Sequence, residues 1–507
     1  MSRKRNDMPL IEGLEITALA AEGKAMGRWN DIVVFVPLCV AGDVVDVQVR
    51  SRRRRFMEGV VVRWVRRSPL RAEPLCEHFG VCGGCKWQNL PYDEQLRQKR
   101  QQVVDQLTRI AKVPLPEIAP CLPSERTQFY RNKLEFTFAD RRWYTSEEVA
   151  SGAVLGGEPA LGFHIPGKFD KVLDIRKCWL QEEPSNAVRN AVREFCAEAG
   201  VGAENGTASA CVARREARSP QPVAAGAGAD NGYTFHNARD HTGLMRNLVI
   251  RTSSTGETMV IVVFGADDQE NDKGRIAALM DMLTERFPQI TSLMYVINPK
   301  LNDSTADLPV QLWSGRDHIF EKMEELRFRI GPKSFYQTNS AQAYNLYKVV
   351  REMAGLTGGE TLYDLYTGTG TIALFLASQC KQVVGIEYVP EAIEDARTNA
   401  ALNRIENCTF HAGDMKKVLC DSFIAAHGHP DVVVLDPPRA GIDQPVAETL
   451  LRAAPERIVY VSCNSATQAR DIALLGERYS VEAVQPVDMF PHTHHVENVV
   501  KLVKKNS

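Results

Sequence analysis

From Phe335 to the end of the chain, short apolar runs alternate with helical periodicity, and this alternation narrows the fold more than any other feature. Thr361-Leu-Tyr-Asp-Leu-Tyr, Gln382-Val-Val-Gly-Ile-Glu, Cys408-Thr-Phe-His-Ala-Gly-Asp, Asp431-Val-Val-Val-Leu-Asp and Arg457-Ile-Val-Tyr-Val-Ser-Cys have strand length and β-branched or aromatic character. Helical stretches such as Thr371 to Gln379 and Pro390 to Asn403 separate them, and two more strand-like runs close the chain. The pattern predicts a doubly wound, largely parallel α/β sheet, in which ligands bind beyond the carboxyl ends of the strands. Those ends carry Asp364, Glu387, Asp414, Asp436 and Cys463, and His492-Thr-His-His-Val-Glu497-Asn opens a last strand. A thiol and two carboxylates (Cys463, Asp436 and Glu497) at successive strand ends point to covalent chemistry.

Asp364-Leu-Tyr366-Thr-Gly368-Thr-Gly370-Thr371-Ile-Ala is a glycine turn between the first of these strands and its helix. A lone G-x-G fits NAD, FAD or no ligand. Here the third glycine of the dinucleotide fingerprint is absent, and Glu387 stands where an acid can accept both ribose hydroxyls. Asp414 is placed to meet an adenine. This is a class I, Rossmann-like methyltransferase arrangement, with S-adenosyl-L-methionine as the expected cofactor and a dehydrogenase the weaker alternative.

At 507 residues the chain exceeds one ordinary domain, and roughly three are expected. No run of about 18 apolar residues predicts a membrane span, and Met1-Ser-Arg-Lys-Arg-Asn-Asp is not followed by an apolar segment. Twelve cysteines in such a chain are expected as reduced thiols, nucleophiles or metal ligands, and the location as cytoplasmic. The net charge of −2 hides a cluster of Arg50, Arg52 to Arg55, Arg63, Arg66, Arg67 and Arg71, which suits a phosphate-binding face or a solvated one.

The expected divisions are a tail (1–8), a small OB-type barrel of short strands (9–67), a cysteine loop (68–90) and a helix packing on the catalytic domain (91–113). A central α+β domain (114–333), with an Ala/Gly-rich insertion near 198–231, and the catalytic domain (334–507) follow. Gly23-Lys-Ala-Met-Gly-Arg, Val34-Phe-Val-Pro and Gly42-Asp-Val-Val resemble the TRAM domain of RNA-modifying enzymes, which favours phosphate binding by the arginines. Cys76, Cys82 and Cys85 form a C-x5-C-x2-C set, with Cys178 the candidate fourth ligand; spacing alone leaves zinc and iron–sulfur open. In the helix from Tyr92 to Ala111, Leu96, Val103, Val104, Leu107 and Ile110 are expected on the packed face and basic residues on the other. Tyr130-Arg-Asn-Lys133 suits an RNA contact or a strand edge.

Pyrimidine carbon 5 becomes nucleophilic only after a thiolate adds at carbon 6, so its methylation needs a cysteine, a base and a polar group on the pyrimidine edge. Cys463, Glu497 and Asp436 fill those roles. Amino-methyltransferases carry a similar D/N-P-P motif but an aromatic residue where Arg439 stands, and they need no thiol. Cys76…Cys82-Gly-Gly-Cys85, Ser334-Phe-Tyr-Gln337-Thr-Asn339, the Asp364–Thr371 turn, Asp436-Pro-Pro-Arg-Ala-Gly, Val461-Ser-Cys463-Asn and Met489-Phe-Pro-His-Thr-His-His-Val-Glu497 together resemble the TRAM-containing, iron–sulfur RNA uridine-C5 methyltransferases, over nearly the whole chain.

The resemblance implies Cys463 as nucleophile and Glu497 as base. It implies Gln337, Tyr366, Thr371, Glu387, Asp414 and Asp436 near the cofactor, and Cys76, Cys82, Cys85 and Cys178 around a structural 4Fe-4S cluster rather than zinc. Thr367 and Thr371 depart from the family's usual cysteine and asparagine. His492, His494 and His495 are expected to shape the loop before Glu497. The implied substrate is a flipped uridine of structured RNA, 23S ribosomal RNA in particular. The family's transfer RNA enzymes usually lack the barrel and the cysteines. Transfer RNA is one alternative, a non-catalytic RNA-binding or chaperone protein another, and a monomer is expected.

Overall fold

The structure is a computed structural model. It describes residues 8–20, 23–152, 156–198, 232–265 and 269–506. Most of the tail and of the insertion near 198–231 lies outside the described residues. The chain forms two compact units, one of Met1–Gly80, Gly84–Arg131 and Phe320–Ser507, the other of Val81–Gly83 and Asn132–Ile319.

In the first unit, β1 (Leu10–Leu19), β2 (Ala25–Trp29), β3 (Ile32–Val36), β4 (Val44–Arg52) and β5 (Phe56–Arg66) close into a barrel of order β1-β2-β3-β5-β4. Alternate residues point inward, so Ile11, Leu14, Ile16, Val34, Val36, Val45, Val47, Val49 and Met57 make its core. The arginine cluster divides in two. Arg50, Arg52 to Arg55, Arg66 and Arg67 are exposed. Arg63 pairs with Asp46 (2.5 Å), and Arg71 pairs with buried Asp43 (2.9 Å) beneath the Trp64 ring, so these two brace the barrel.

Helix α1 (Tyr92–Gln106) runs on into a π-helical turn at Leu107–Ala111. That wider turn rotates the packed face by one residue. Val103, Leu107 and Ala111 are buried, whereas Ile110 is 38% exposed, contrary to the sequence expectation. Lys99 departs from the expected division of charges, with no exposure at all, whereas Arg97 and Arg109 are exposed as expected.

The second unit holds β6 (Lys133–Ala139), α2 (Ser146–Ala150), β7 (Ala160–His164), β8 (Val172–Asp174), α3 (Ser185–Glu198), β9 (Met245–Thr252), β10 (Thr258–Phe264), α4 (Gln269–Arg286), β11 (Ile290–Ile297) and β12 (Gln311–Gly315). Its sheet has the order β12-β11-β10-β9-β6-β7-β8, and β10 is buried throughout. The hairpin of β13 (Ile319–Met323) and β14 (Leu326–Ile330) leads back to the first unit.

The catalytic sheet follows α5 (Ser340–Ala354). Its elements are β15 (Thr361–Leu365), α6 (Thr371–Leu376), β16 (Gln382–Glu387), α7 (Pro390–Leu402), β17 (Cys408–Ala412), α8 (Met415–Val418), α9 (Asp421–His427), β18 (Val432–Leu435), α10 (Gln444–Ala453), β19 (Arg457–Ser462), α11 (Ser465–Leu475), β20 (Tyr479–Val487) and β21 (Glu497–Lys504). The order is β17-β16-β15-β18-β19-β21-β20. The first five strands are mutually parallel, and β21 lies antiparallel to both β19 and β20. The chain reverses direction across the sheet between β15 and β18, which opens a crevice at their carboxyl ends.

Candidate active site

The glycine turn sits at that crevice. Tyr366, Gly368 and Gly370 all have left-handed backbones (φ 66°, 57° and 79°), which carries the chain sharply from β15 into α6. A Cβ on Gly370 would lie 2.9 Å from that of Ala396, whereas one on Gly368 would meet nothing within 4 Å. Asp364 Oδ2 accepts from Thr367 Oγ1 (2.5 Å) and Ala373 N (3.0 Å), while its buried Oδ1 has no hydrogen-bond partner. Burial pushes Asp364 up to about 7. Glu387, ending β16, accepts from Gly368 N (3.1 Å) and Val389 N (3.0 Å). Open space over the turn and an orphaned carboxylate oxygen fit a ligand that brings hydroxyl and ammonium donors.

Thr369 Oγ1 donates to Phe335 O (3.3 Å), which ties the loop bearing half-buried Gln337 to the turn. Thr371 opens α6, and its side chain bonds that of Tyr347. Asp414 stands past the end of β17 as the N-cap of α8, accepting from Lys416 N (3.1 Å).

The thiol and the two carboxylates expected to act together stand within electrostatic reach of one another. Cys463 follows the last residue of β19, and Ser462 pairs with Asn498 beside Glu497. Asn464 caps α11 through its side-chain oxygen and donates to Arg439 O (3.1 Å), as does Thr467 Oγ1 (3.0 Å), so the Asp436-Pro-Pro-Arg439 loop is drawn to the thiol. Burial, with Glu497 and Asp436 adding, raises Cys463 to about 11, and the hydrogen-bonded Arg439 side chain opposes them. Desolvation lifts Glu497 to about 8, Asp436 adding to the rise, and lifts Asp436 to about 7, Asp364 adding. A base near 8 suits proton abstraction close to neutrality. Burial depresses His494 and His495 to about 3 and 4, so both are neutral imidazoles.

Tyr347 on α5 escaped sequence reasoning. It is buried, within electrostatic reach of Asp436, Asp364 and Glu497. Its spacing in an amphipathic helix reads as core, and no local signal distinguishes it.

The four cysteines of the expected ligand set are divided between the two units. Among the described residues no three His, Cys, Asp or Glu stand together so as to hold a metal ion. Cys76 and Cys85 belong to the first unit, Cys82 and Cys178 to the second. Burial raises the Cys76 thiol. Asn186 binds both backbone groups of Cys178, its Oδ1 accepting from the N–H (2.8 Å) and its Nδ2 donating to the carbonyl (3.2 Å).

Residues 314–505 match the family model described as tRNA (Uracil-5-)-methyltransferase. An uncharacterised RNA methyltransferase of Bacteroides thetaiotaomicron is 55% identical over 96% of this chain and 99% of its own. One from Chlorobaculum tepidum is 36% identical over 96% and 95%. Among solved structures, the Pyrococcus abyssi tRNA (uracil-54, C5)-methyltransferase in complex with S-adenosyl-L-homocysteine aligns with a TM-score of 0.69 at 28% identity, over 97% of this chain and 100% of that one.

Proposed function

This chain belongs to the RNA uracil-5-methyltransferase family, and we propose that it forms 5-methyluridine at one site of structured RNA through a covalent adduct on Cys463. The observation that carries this reading is the convergence of Cys463, Glu497 and Asp436 beside the glycine turn.

Cys463, as thiolate, adds to uracil carbon 6 with Arg439 offsetting the charge. Protonation of Asp436 and Glu497 near neutrality removes two charges that oppose the thiolate. S-adenosylmethionine, when bound, supplies an electrophilic methyl group, toward which carbon 5 of the thiolate adduct is nucleophilic. Asp364, Glu387, Gln337, Tyr366, Thr371 and Asp414 are the residues that would hold that cofactor. Asp436 orients the pyrimidine edge, and Glu497 removes the carbon 5 proton so that Cys463 is released. Cys463→Ala, incubated with RNA and labelled cofactor, gives no 5-methyluridine; normal product from that variant would overturn the covalent reading.

Ribosomal RNA, of the large subunit, is the proposed substrate. A second reading is favoured by the full-length likeness to a transfer RNA enzyme, because that protein aligns along the barrel region as well. The presence of a barrel therefore does not separate the two RNAs. Mapping the uridine that loses its methyl group when the protein is absent from cells decides between them. The exposed barrel arginines are the proposed phosphate contacts.

A thiolate-held 4Fe-4S centre rests on the C-x5-C-x2-C spacing together with the family resemblance, and no step is routed through it. Anaerobic protein with stoichiometric iron and sulfide would establish it, whereas zinc or no metal would dismiss it.

A further inference from the structure

The loop between β20 and β21 ends in Glu497, and four consecutive carbonyls of it are held from outside. Met489 O accepts from Asn339 Nδ2 (2.9 Å), Phe490 O from Lys99 Nζ (3.1 Å) and Pro491 O from Tyr130 Oη (3.0 Å). His492 O accepts from the backbone N–H groups of Lys86 and Trp87 (2.8 and 3.0 Å). His492 itself is left-handed (φ 65°), a conformation that a non-glycine residue keeps only where its surroundings impose it. Its N–H donates to Gln95 Oε1 (2.8 Å), and Gln95 Nε2 lies 3.2 Å from its Nδ1.

Gln95 and Lys99, one turn apart on α1, are both fully buried. Lys99 Nζ stands 2.5 Å from Asp488 Oδ1, and neither side chain has any exposure. Asp488 also accepts from Tyr92 Oη (2.8 Å) and Phe490 N (3.1 Å). Taking two such charges out of water costs several kcal/mol per ion, and apolar side chains of equal volume often stabilise a fold as well or better. Stability is therefore a poor explanation of the pair. What the pair does fix is the path of the backbone leading to Glu497.

We infer that Lys99, acting with Asp488, is a positioning residue for the base, holding the 488–492 loop so that Glu497 faces carbon 5 of a uracil bonded to Cys463. The inference rests on the covalent reading above. In the step concerned, the Glu497 carboxylate takes the carbon 5 proton. The C–H electrons form the C5=C6 double bond, and the C6–S bond breaks with its pair returning to the Cys463 sulfur. Addition at carbon 6 does not use Glu497. A displaced base thus slows release of the adduct without slowing its formation.

The test uses the full-length protein as Lys99→Met, with substrate RNA and S-adenosylmethionine, and follows the covalent complex through a single turnover on denaturing gels. Adduct formation is expected within about threefold of the parent and its decay about tenfold slower or more, the scale of a misplaced catalytic group. Equal slowing of both steps, or unchanged decay, would overturn the inference. If Lys99→Met does not fold, Tyr130→Phe removes one hydroxyl from Pro491 O and keeps the ring. That variant should slow decay about threefold while staying folded with a modestly lower melting temperature, as expected for one lost buried hydrogen bond, and unchanged decay in it overturns the inference too. Glu497→Gln, run alongside, separates the two claims. No adduct from it defeats the covalent reading itself, whereas an adduct from it with normal release by Lys99→Met defeats only the role of Lys99.

Discussion

The carboxyl group of Glu497 carries opposite demands. The fold favours its proton, since burial raises it to about 8, whereas the reaction needs it ionised. The rate of adduct release is therefore expected to rise with pH through about 8 and then level, measured by quenched single-turnover assays between pH 6 and 9.5 or so. Stability runs the other way. A group whose folded pKa is raised contributes stability that is present below the unfolded value and lost as pH rises through the folded one. Asp364, Asp436 and Glu497 are all raised, to about 7, 7 and 8, so the melting temperature should fall between about pH 4 and pH 8. Glu497→Gln should raise the melting temperature at about pH 8.5 and leave it nearly unchanged at about pH 4. The placement of Cys463 and Glu497 at adjoining strand ends was legible in sequence because an apolar run stops at the one and begins at the other. Lys99 and Tyr347 were not, because each sits at a spacing that reads as plain helix, and only the tertiary fold turns them inward.

Among the elements, the parallel strands were read from their unbroken apolar runs, and five of them stand in the expected places. Strand ends were less legible. Asp414 lies beyond β17 and caps α8, a local hydrogen bond that strand periodicity does not report. The π-helical turn after α1 likewise moved the packed residue from Ile110 to Ala111, and no propensity marks such a turn. The β15–α6 turn is the element most exposed to a single change. Gly370→Ala puts a methyl group against Ala396 and the Phe410 ring in a left-handed backbone, so a loss of about 1–3 kcal/mol is expected by denaturant unfolding, with weaker cofactor binding by calorimetry. Gly368→Ala meets no neighbour, so its cost to unfolding should be that of the left-handed backbone alone, about 1 kcal/mol and below that of Gly370→Ala, with weaker cofactor binding beside it.

At the scale of the whole molecule, the barrel and the catalytic sheet are proposed to answer different questions about the same RNA. The exposed Arg52 to Arg55 of the barrel are expected to set affinity. Their joint replacement by alanine should raise KM, leave kcat unchanged and reduce the slope of log KM against log salt by about 0.7–0.9 for each phosphate that is no longer neutralised. Arg71→Ala belongs to another class, since it leaves buried Asp43 without its ion pair, and loss of stability is the expected result. Net charge alone hid this division, which appears only when each guanidinium is placed beside its partner. The account as a whole turns on one covalent bond. Glu497→Gln, incubated with substrate RNA and S-adenosylmethionine, then digested with protease and nuclease, should yield a peptide containing Cys463 that carries one methylated uridine nucleotide by mass spectrometry. Attachment at another cysteine, or methylated RNA with no adduct at all, would contradict it.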